Sequence, residues 1–438
     1  MLFWGHAKHD HLISLNFKRM ILRTKYIYTF SSLFIVSWWL LAFHRPVAYE
    51  GVVSGEITSQ QTLTTQPLDS MGSINLLQID RAKVKKALDG DVLLMGQLIA
   101  EWDLDAEIEK NRSGKTLKRL NRDEFLRAQL LSKILLIQDL ATINLLREKN
   151  RLPLLIDDKG CPFDLTHPPE TFLPQTYLAA GILLSLVSPN ELVALPRGMR
   201  QQATIYPQEL TDLVPYDIDS FHMEQLYAYR PDIALISERY THPLTLEALE
   251  SQGIPKYHLP EVQSIEEIEE LIRSLGHLCN RPLKAELMAL FLKAGVMAID
   301  NEREVSLCNK SPEKVLVLNY LSRFSLPGKN TLTKHMINRM HLDSINQIQE
   351  GLVEDSWSTP ISEEMIVHFN PQKLLIITSS DAQQVKNYFY QTTLFKHIEA
   401  AQTNKVTILD ESIQQTISQY ILLAYYDLNH SLVELYAE

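Results

Sequence analysis

The stretch Pro282–Leu307, PLKAELMALFLKAGVMAIDNEREVSL, decides how the rest of the chain is interpreted. Its apolar residues recur every three or four positions, which is the period of one face of a helix. A proline is tolerated in the first turn of a helix, and Ser311-Pro312 ends any continuation. About 25 residues at ~1.5 Å each give a rod approaching ~40 Å, as long as a small domain is wide. The sequence therefore predicts one long helix, which we assign to residues 281–308.

Strand and helix patterns alternate on both sides of this helix. The strand patterns before it are TFLPQ, NELVALP, IALIS and KYHLP, and those after it are KVLVLNY, KLLIITS and KVTILD. This order calls for mainly parallel sheets with right-handed crossovers. We therefore predict an α/β fold with an N-terminal lobe, 165–280, and a C-terminal lobe, 312–438, joined by the long helix. The alternative is one long helix on the outside of a single domain.

The N-terminal part of the chain predicts export. An uncharged stretch at 26–43, YIYTFSSLFIVSWWLLAF, follows a basic cluster within residues 1–25, which we assign as the cytoplasmic segment or n-region. The length of the stretch suits a short transmembrane helix or a long signal-peptide core. Translation from Met20 and cleavage after Ala48 would make it a signal peptide, whereas retention would make it a membrane anchor. Both alternatives place the remainder outside the cytoplasm.

Residues 51–74 are polar and rich in Ser, Thr and Gln, which is typical of a flexible linker. Residues 75–150 then predict an amphipathic helical hairpin whose turn lies at 111–114. Its apolar stripes are expected to pack on the main body or on each other, although a spacer or partner-docking role is the alternative. The stripes are Leu93, Leu94, Leu98 and Trp102 in the first helix, and Phe125, Leu130, Ile134, Ile137 and Leu145 in the second.

The composition excludes several classes of function. A net charge of -11 gives no broad basic surface, so nucleic acid is not an expected partner. The three cysteines have neither the number nor the spacing of a disulfide framework or a zinc site. The histidines are scattered without metal-ligand spacing, so we predict no metal site.

Polar and aromatic residues follow the predicted strands. Parallel sheets bind ligands outside the carboxyl ends of their strands, so these residues are ligand-binding candidates. They are Gln175, Arg197, Ser237, Arg239 and Tyr240 in the first lobe, and Tyr320, Arg323 and Thr378 in the second. Arginine can hold carboxylate or catecholate oxygens bidentately, and aromatic rings can cover a flat ligand face. Arg200 and Tyr206 are weaker candidates, and a solvated loop side chain is the alternative for each residue.

Residues 171–438 resemble the substrate-binding proteins of ABC importers for iron-siderophores, haem and vitamin B12. The resemblance rests on RPDIALIS and LEALESQGIPKYHLPEVQSIEEIEELIRSLGHLCNRP before the long helix, and on WSTPISEEMIVHFNPQKLLIIT and LFKHIEAAQTNKVTILD after it. It implies two Rossmann-like lobes joined by one long helix, with a ligand in the cleft between them. It also implies an aromatic ligand contact at Trp357, no catalytic residues and no intrinsic cofactor.

The chain departs from this resemblance at the start of the first lobe. The family usually has a Ser-Pro-Ser turn there, followed by a Glu that docks on an arginine of the permease. Here the turn is 173–176, LPQT, and the helix TYLAAGILLSLV that follows has no acid. Glu363 and Glu364 of the second lobe are then the permease-docking candidates.

The resemblance predicts a monomeric periplasmic protein that captures a ferric siderophore, haem or cobalamin and delivers it to an ABC importer. If the N-terminal segment is uncleaved, the protein is anchored in the inner membrane. One alternative is a membrane-tethered adaptor or sensor that no longer serves transport, which the missing acid and the helical region favour. A two-lobed transferase is less favoured, because no glycine-rich phosphate loop follows a first strand.

Overall fold

The computed structural model of the protein describes residues 79–437, except 139, 151, 153, 203, 219–229, 309, 312 and 343–356. The predicted export signal and the linker lie outside the described residues. Among the helices within them, none combines the length and the hydropathy needed to cross a bilayer.

The chain alternates helices and strands throughout, and we number both in chain order. The helices are α1 (Arg81–Leu88), α2 (Val92–Ser113), α3 (Arg122–Ile137), α4 (Leu140–Lys149), α5 (Tyr177–Leu186), α6 (Gln208–Thr211), α7 (Pro243–Ser251), α8 (Ile265–Leu278), α9 (Pro282–Ser306), α10 (Leu332–Arg339), α11 (Glu363–Phe369), α12 (Ala382–Gln391), α13 (Glu399–Gln402), α14 (Glu411–Gln414) and α15 (Ile421–Ala437). The strands are β1 (Leu154–Ile156), β2 (Pro162–Asp164), β3 (Phe172–Pro174), β4 (Leu195–Pro196), β5 (Asp217–Ile218), β6 (Ile233–Ile236), β7 (Lys256–His258), β8 (Val315–Tyr320), β9 (Phe324–Pro327), β10 (Ser358–Pro360), β11 (Lys373–Thr378) and β12 (Val406–Asp410).

The first lobe is built on short parallel strands. Strands β3, β6 and β7 form one sheet in that order, and Leu173 lies opposite Ala234. The parallel pair β4–β5 continues the sheet beyond β3 through a bridge between Phe172 and Leu192. The carboxyl ends of the parallel strands therefore lie at one edge of the lobe.

The second lobe has a five-stranded sheet in the order β10-β9-β8-β11-β12. Strands β8, β11 and β12 are parallel, and β9 and β10 add antiparallel strands at one edge. All six residues of β11 are buried, as expected for a central parallel strand covered on both faces. The sequence analysis did not predict β9 and β10.

The long helix α9 lies at the centre of the molecule. Its bounds, Pro282–Ser306, agree with the sequence prediction, but most of its circumference is buried rather than one face. The reason is that α8, α15 and the helices α2 and α3 all pack against it. The Trp102 ring of α2 stacks on Phe291 of α9 with 5.3 Å between ring centres. The α/β fold of two lobes joined by one long helix, with a helical region before it, is confirmed.

A buried carboxylate fastens three helices and the loop before α3 to one another. Asp300 of α9 is fully buried and accepts hydrogen bonds from Tyr425 Oη at 2.5 Å, Arg339 Nη2 at 2.8 Å and Lys118 Nζ at 3.2 Å. Arg303 Nη2 lies 3.2 Å from the same carboxylate. Burial alone would raise the pKa of Asp300, but the Tyr425 hydrogen bond and these cations lower it below its ordinary value.

The helical region shows one error in the sequence prediction. Leu98 and Trp102 are buried as expected, but Leu93 of α2, Leu130 and Ile137 of α3 and Leu145 of α4 are exposed instead of facing the body. The inward face of α3 contains Ser132, whose hydroxyl donates to the Val92 carbonyl at 2.7 Å. Since a small residue there permits a close approach to α2, this contact fixes the rotation of α3 and turns the larger residues outward.

Candidate functional site

The turn after β6 forms the tip of the first lobe. The Ser237 carbonyl accepts hydrogen bonds from the backbone N–H groups of Thr241 at 2.8 Å and of Tyr240 at 3.2 Å. The Thr241 hydroxyl in turn accepts from the Ser237 N–H at 3.2 Å. These bonds close the turn within its own residues. They hold Arg239 and Tyr240 beyond the carboxyl end of the strand.

This tip contacts the second lobe at Trp357. The guanidinium carbon of Arg239 lies 4.1 Å from the centre of the Trp357 ring, and the Tyr240 ring meets Trp357 edge-on at 6.2 Å. Arg239 Nη1 also lies 3.5 Å from a carboxylate oxygen of Glu261, which follows β7. The rings remain open to solvent, since Tyr240 is 54% exposed and Trp357 is 44% exposed. The structure thus brings three predicted ligand-binding residues, one cation and two aromatic rings, into one contact between the lobes.

Tyr320 and Arg323 form the corresponding tip of the second lobe. The Tyr320 ring lies 4.6 Å from Phe324 and stacks on Tyr388 at 6.4 Å, so it belongs to an aromatic cluster of this lobe. Arg323 is exposed and makes no hydrogen bond or ion pair with any residue that the structure describes. Its guanidinium is therefore available to an anionic ligand.

The other predicted ligand-binding residues differ in availability. Thr378 is buried, and its hydroxyl already accepts from the Ser380 N–H at 3.0 Å. Arg197 is exposed at the end of β4, where its carbonyl accepts from the Tyr177 hydroxyl at 2.7 Å. Gln175 follows β3, and its side-chain nitrogen is buried without a hydrogen-bond partner. A buried donor without a partner is unusual in a folded protein, so this amide is a candidate contact for a bound ligand.

Arg200 and Tyr206, the weaker candidates, have structural roles. Arg200 Nε donates to Asp217 at 2.7 Å and its Nη2 donates to the Val214 carbonyl at 2.6 Å, which ties β4 to β5. Tyr206 is 2% exposed and packs edge-on against Tyr420 at 5.5 Å. These contacts favour structural roles for both residues over the ligand-binding roles considered for them.

The permease-docking candidates lie in the first turn of α11. Glu363 accepts a short hydrogen bond from the Tyr388 hydroxyl, and this bond raises the pKa of Tyr388 to about 12. Glu364 is exposed, and the backbone N–H group and Ser362 side chain near it lower its pKa. The sequence analysis did not predict the contact of Tyr388 with Glu363, because the position of Tyr388 along α12 gives no sign that an acid of another helix lies beside it. Glu364 is thus the more accessible anion of the two.

No metal site accompanies these tips. Within the described part of the chain, no three His, Cys, Asp or Glu side chains lie close enough together to hold an ion. His258 ends β7, and its Nδ1 atom is buried without a hydrogen-bond partner among the described residues, so it is a further candidate for contact with a ligand. Its position at the end of a predicted strand could have placed it among the stronger candidates. Two small hollows lie between α2, α3 and α9 and between α9 and α15, and no predicted ligand-binding residue lines either one.

Comparisons with known proteins agree with this architecture. The sequence pattern of the family described as periplasmic binding protein matches residues 180–413, more than half of the chain. A periplasmic haem-binding protein from Pseudomonas aeruginosa is 17% identical with a TM-score of 0.50, over 61% of this chain and 93% of that one. The haem-binding protein RhuT from Roseiflexus sp. RS-1, in its apo form, is 19% identical with a TM-score of 0.48, over 61% and 98%. No curated protein sequence matches the chain significantly.

Proposed function

The chain belongs to the periplasmic binding protein family, whose members bind ligands for transport and are not enzymes, and on this basis we propose that it captures an iron chelate, haem or cobalamin between its lobes. The ligand would then be delivered to the permease of an ABC importer. The single observation that carries the proposal is the contact of Arg239 and Tyr240 with Trp357. It joins the strand tips of the two lobes through side chains that remain half exposed. Family membership implies a location outside the cytoplasm.

The chemistry of the tips favours a flat or anionic ligand. Arg239 has only a long ion pair with Glu261, at 3.5 Å, and both side chains are well exposed to solvent. Exposed pairs of this kind contribute about 0–1 kcal/mol, so a carboxylate or catecholate oxygen of a ligand can replace Glu261 at small cost. Trp357 and Tyr240 would cover an apolar face of the ligand, and Arg323 would contribute a second cation. A ferric siderophore satisfies these requirements best.

Tryptophan emission tests the proposal. Ferric siderophores, haem and cobalamin are titrated separately into the purified protein, and emission is compared with that of a Trp357→Phe variant. A ligand bound at the tips quenches the parent protein at micromolar concentration or below, and the Trp357→Phe variant shows a smaller change. If none of the three ligand classes changes the emission or the melting temperature, the proposed function is wrong.

Delivery to a permease requires a docking surface, and we assign it to Glu364. Its carboxylate is exposed at the start of α11, whereas that of Glu363 is engaged by Tyr388. Ligand uptake by cells that produce a Glu364→Gln variant should fall while ligand affinity of the purified variant is unchanged. Glu399→Gln, on α13 of the same lobe, is a matched control that should leave both quantities unchanged.

A membrane-tethered adaptor or sensor is the second candidate, and one observation favours it. Helix α5 carries no acid, and each of its residues from Leu178 to Leu186 is buried. Ser185 of this helix donates to the carbonyl of Leu88 in α1 at 2.7 Å, so the helical region covers part of the first lobe. A protein of either kind would not support ligand uptake by cells, whether or not it binds a ligand, so the uptake measurement discriminates between the two functions.

A further inference from the structure

Helices α3 and α4 present an apolar surface that the body of the protein does not cover. It consists of Leu126, Leu130, Ile137, Leu140 and Leu145, and we call it, with the nearby Arg122, Lys133 and Lys149, the α3–α4 face. Ile137 is 74% exposed and Leu140 is 69% exposed, and α4 has no buried residue at all. This face lies outside residues 180–413, which match the family.

The periodicity of α3 shows that the part of the face on this helix is one continuous stripe. Arg122, Leu126, Leu130, Lys133 and Ile137 are spaced by three or four residues and are all exposed. The opposite side of the helix carries its buried residues, Ala128, Leu131 and Ser132. Apolar and cationic side chains therefore alternate along the same outward surface.

The charges of this region divide according to the side on which they lie. Toward the body, Lys118 pairs with Asp300 at 3.2 Å and Arg127 pairs with Glu286 at 3.0 Å. On the outward side, Arg122, Lys133 and Lys149 are exposed and form no ion pair with a described residue. Residues 110–150 carry ten Lys and Arg against four Asp and Glu, whereas the whole chain has a net charge of -11. Unpaired cations therefore lie beside the exposed leucines, and the exposed acids of the same two helices are Asp123 and Glu148.

We propose that the α3–α4 face docks on the surface of an anionic lipid bilayer. Leucine and isoleucine side chains on a helix that lies in the membrane plane enter the boundary between headgroups and acyl chains, and lysine and arginine beside them contact lipid phosphates. The placement in the chain agrees with this, because the helical region 75–150, which contains the face, follows the predicted linker and the apolar stretch 26–43. Stable membrane attachment through individually weak signals commonly needs two of them, and this face would supply one.

A second copy of the chain fits the face less well than lipid does. A symmetric dimer brings the same patch of both subunits together, so the cations of one copy would meet those of the other. Like charges placed opposite each other in an interface are unfavourable. An anionic surface, in contrast, complements the unpaired cations and the leucines together.

Hydrogen–deuterium exchange on the full chain tests the proposal locally, because it reports on α3 and α4 even if residues 26–43 insert independently. The chain is incorporated into vesicles of phosphatidylcholine alone or of phosphatidylcholine mixed with phosphatidylglycerol. We expect the amides of 122–149 to gain protection only with the anionic lipid. A Lys133→Gln and Lys149→Gln double variant should lower the ratio of docked to undocked protein about 25-fold, since each lysine raises that ratio about fivefold.

The matched control is a Lys396→Gln and Lys405→Gln double variant, which removes two lysines of the second lobe and should keep full protection. An Ile137→Ser and Leu140→Ser variant should lose protection on anionic vesicles while its melting temperature is unchanged, because both residues are exposed. Equal protection on both kinds of vesicle would overturn the proposal. So would protection that appears without lipid and rises with protein concentration, which indicates a second copy.

Discussion

The guanidinium carbon of Arg239 lies 4.1 Å above the ring of Trp357, and this contact joins the strand tip of one lobe to a loop of the other. A second connection between the lobes is made by Arg339 of α10, which reaches Glu266 of α8 at 3.2 Å and Asp300 of α9 at 2.8 Å. An exposed cation–π contact contributes about 0.5–1 kcal/mol, whereas breaking a buried charge pair costs about 3–5 kcal/mol. The lobes therefore separate more readily at Trp357 than at Arg339.

Removal of a tip cation should weaken the binding of an anionic ligand. We expect Arg239→Ala or Arg323→Ala to cost about 1–3 kcal/mol of binding free energy, because each substitution removes hydrogen bonds to a charged group. Calorimetric titration of the ligand identified by fluorescence measures this change. Arg112→Ala is the control, since Arg112 pairs only with Glu109 at the surface of α2. Unchanged affinity in both tip variants would exclude an anionic chelate.

Replacement of the buried carboxylate of α9 should destabilise the whole fold. Asp300→Asn leaves Arg303 buried with one fewer anionic partner and removes the anion that Arg339 and Lys118 share. We expect a loss of about 3–5 kcal/mol in the free energy of unfolding, measured in denaturant at pH 7. Glu304→Gln, which removes an exposed partner of the same Lys118, should cost less than about 1 kcal/mol. Equal losses of stability in the two variants would contradict the claim that the Asp300 ion pairs matter more because they are buried.

The pH dependence of this contribution follows from the lowered pKa of Asp300. The folded protein holds the carboxylate ionised below its ordinary pKa of 3.8, so its stabilising effect is present above that pH and is lost as the pH falls further. The stability difference between the parent protein and Asp300→Asn should therefore shrink in acid below about pH 4.

The sequence predicted the features that depend on local pattern. The long helix is marked by Pro282 and by an apolar period sustained over 25 residues, and its observed bounds agree. The carboxyl ends of the strands were also predicted, because a run of apolar residues followed by polar residues indicates a strand end even when the neighbouring strand is unknown. The rotation of α3 about its axis was not predicted, since it depends on a contact between Ser132 and Val92, which lies forty residues earlier in the chain. The hydrogen bond from Tyr388 to Glu363 is another long-range contact, and no local sequence pattern predicts it.

A glycine of α8 should be required for the packing of α8 on α9. A Cβ atom added at Gly276 would lie 2.1 Å from the Cβ of Ala285, and neither helix backbone can shift as readily as a flexible side chain. Alanine gains about 1 kcal/mol over glycine in helix propensity, but overpacking of a core typically costs about 1–3 kcal/mol. We therefore expect Gly276→Ala to lower the free energy of unfolding, whereas Ser274→Ala on the outer side of α8 should not. If the Gly276→Ala variant were more stable than the parent, α8 and α9 would be able to move apart without loss of packing energy, and the prediction would be wrong.

Glu302 should make the protein less stable as the pH rises. It lies on α9 beside Tyr426 and His430, and burial alone raises the pKa of its carboxyl from 4.5 to about 7. The folded state therefore binds a proton more tightly than the unfolded state, and the resulting stabilisation is lost as the pH rises from about 4.5 through 7. Glu302→Gln should accordingly be more stable than the parent by about 2 kcal/mol at pH 8, and nearly equal to it at pH 4.

Denaturant unfolding of both proteins at the two pH values measures this difference for Glu302. Comparison of the variant with the parent cancels the titration of groups that the substitution does not affect. Glu304→Gln serves again as the control, because Glu304 is exposed on the same helix and should show no gain at pH 8. A gain for Glu302→Gln of the same size at both pH values would mean that shape or packing, and not the burial of a charge, accounts for the change.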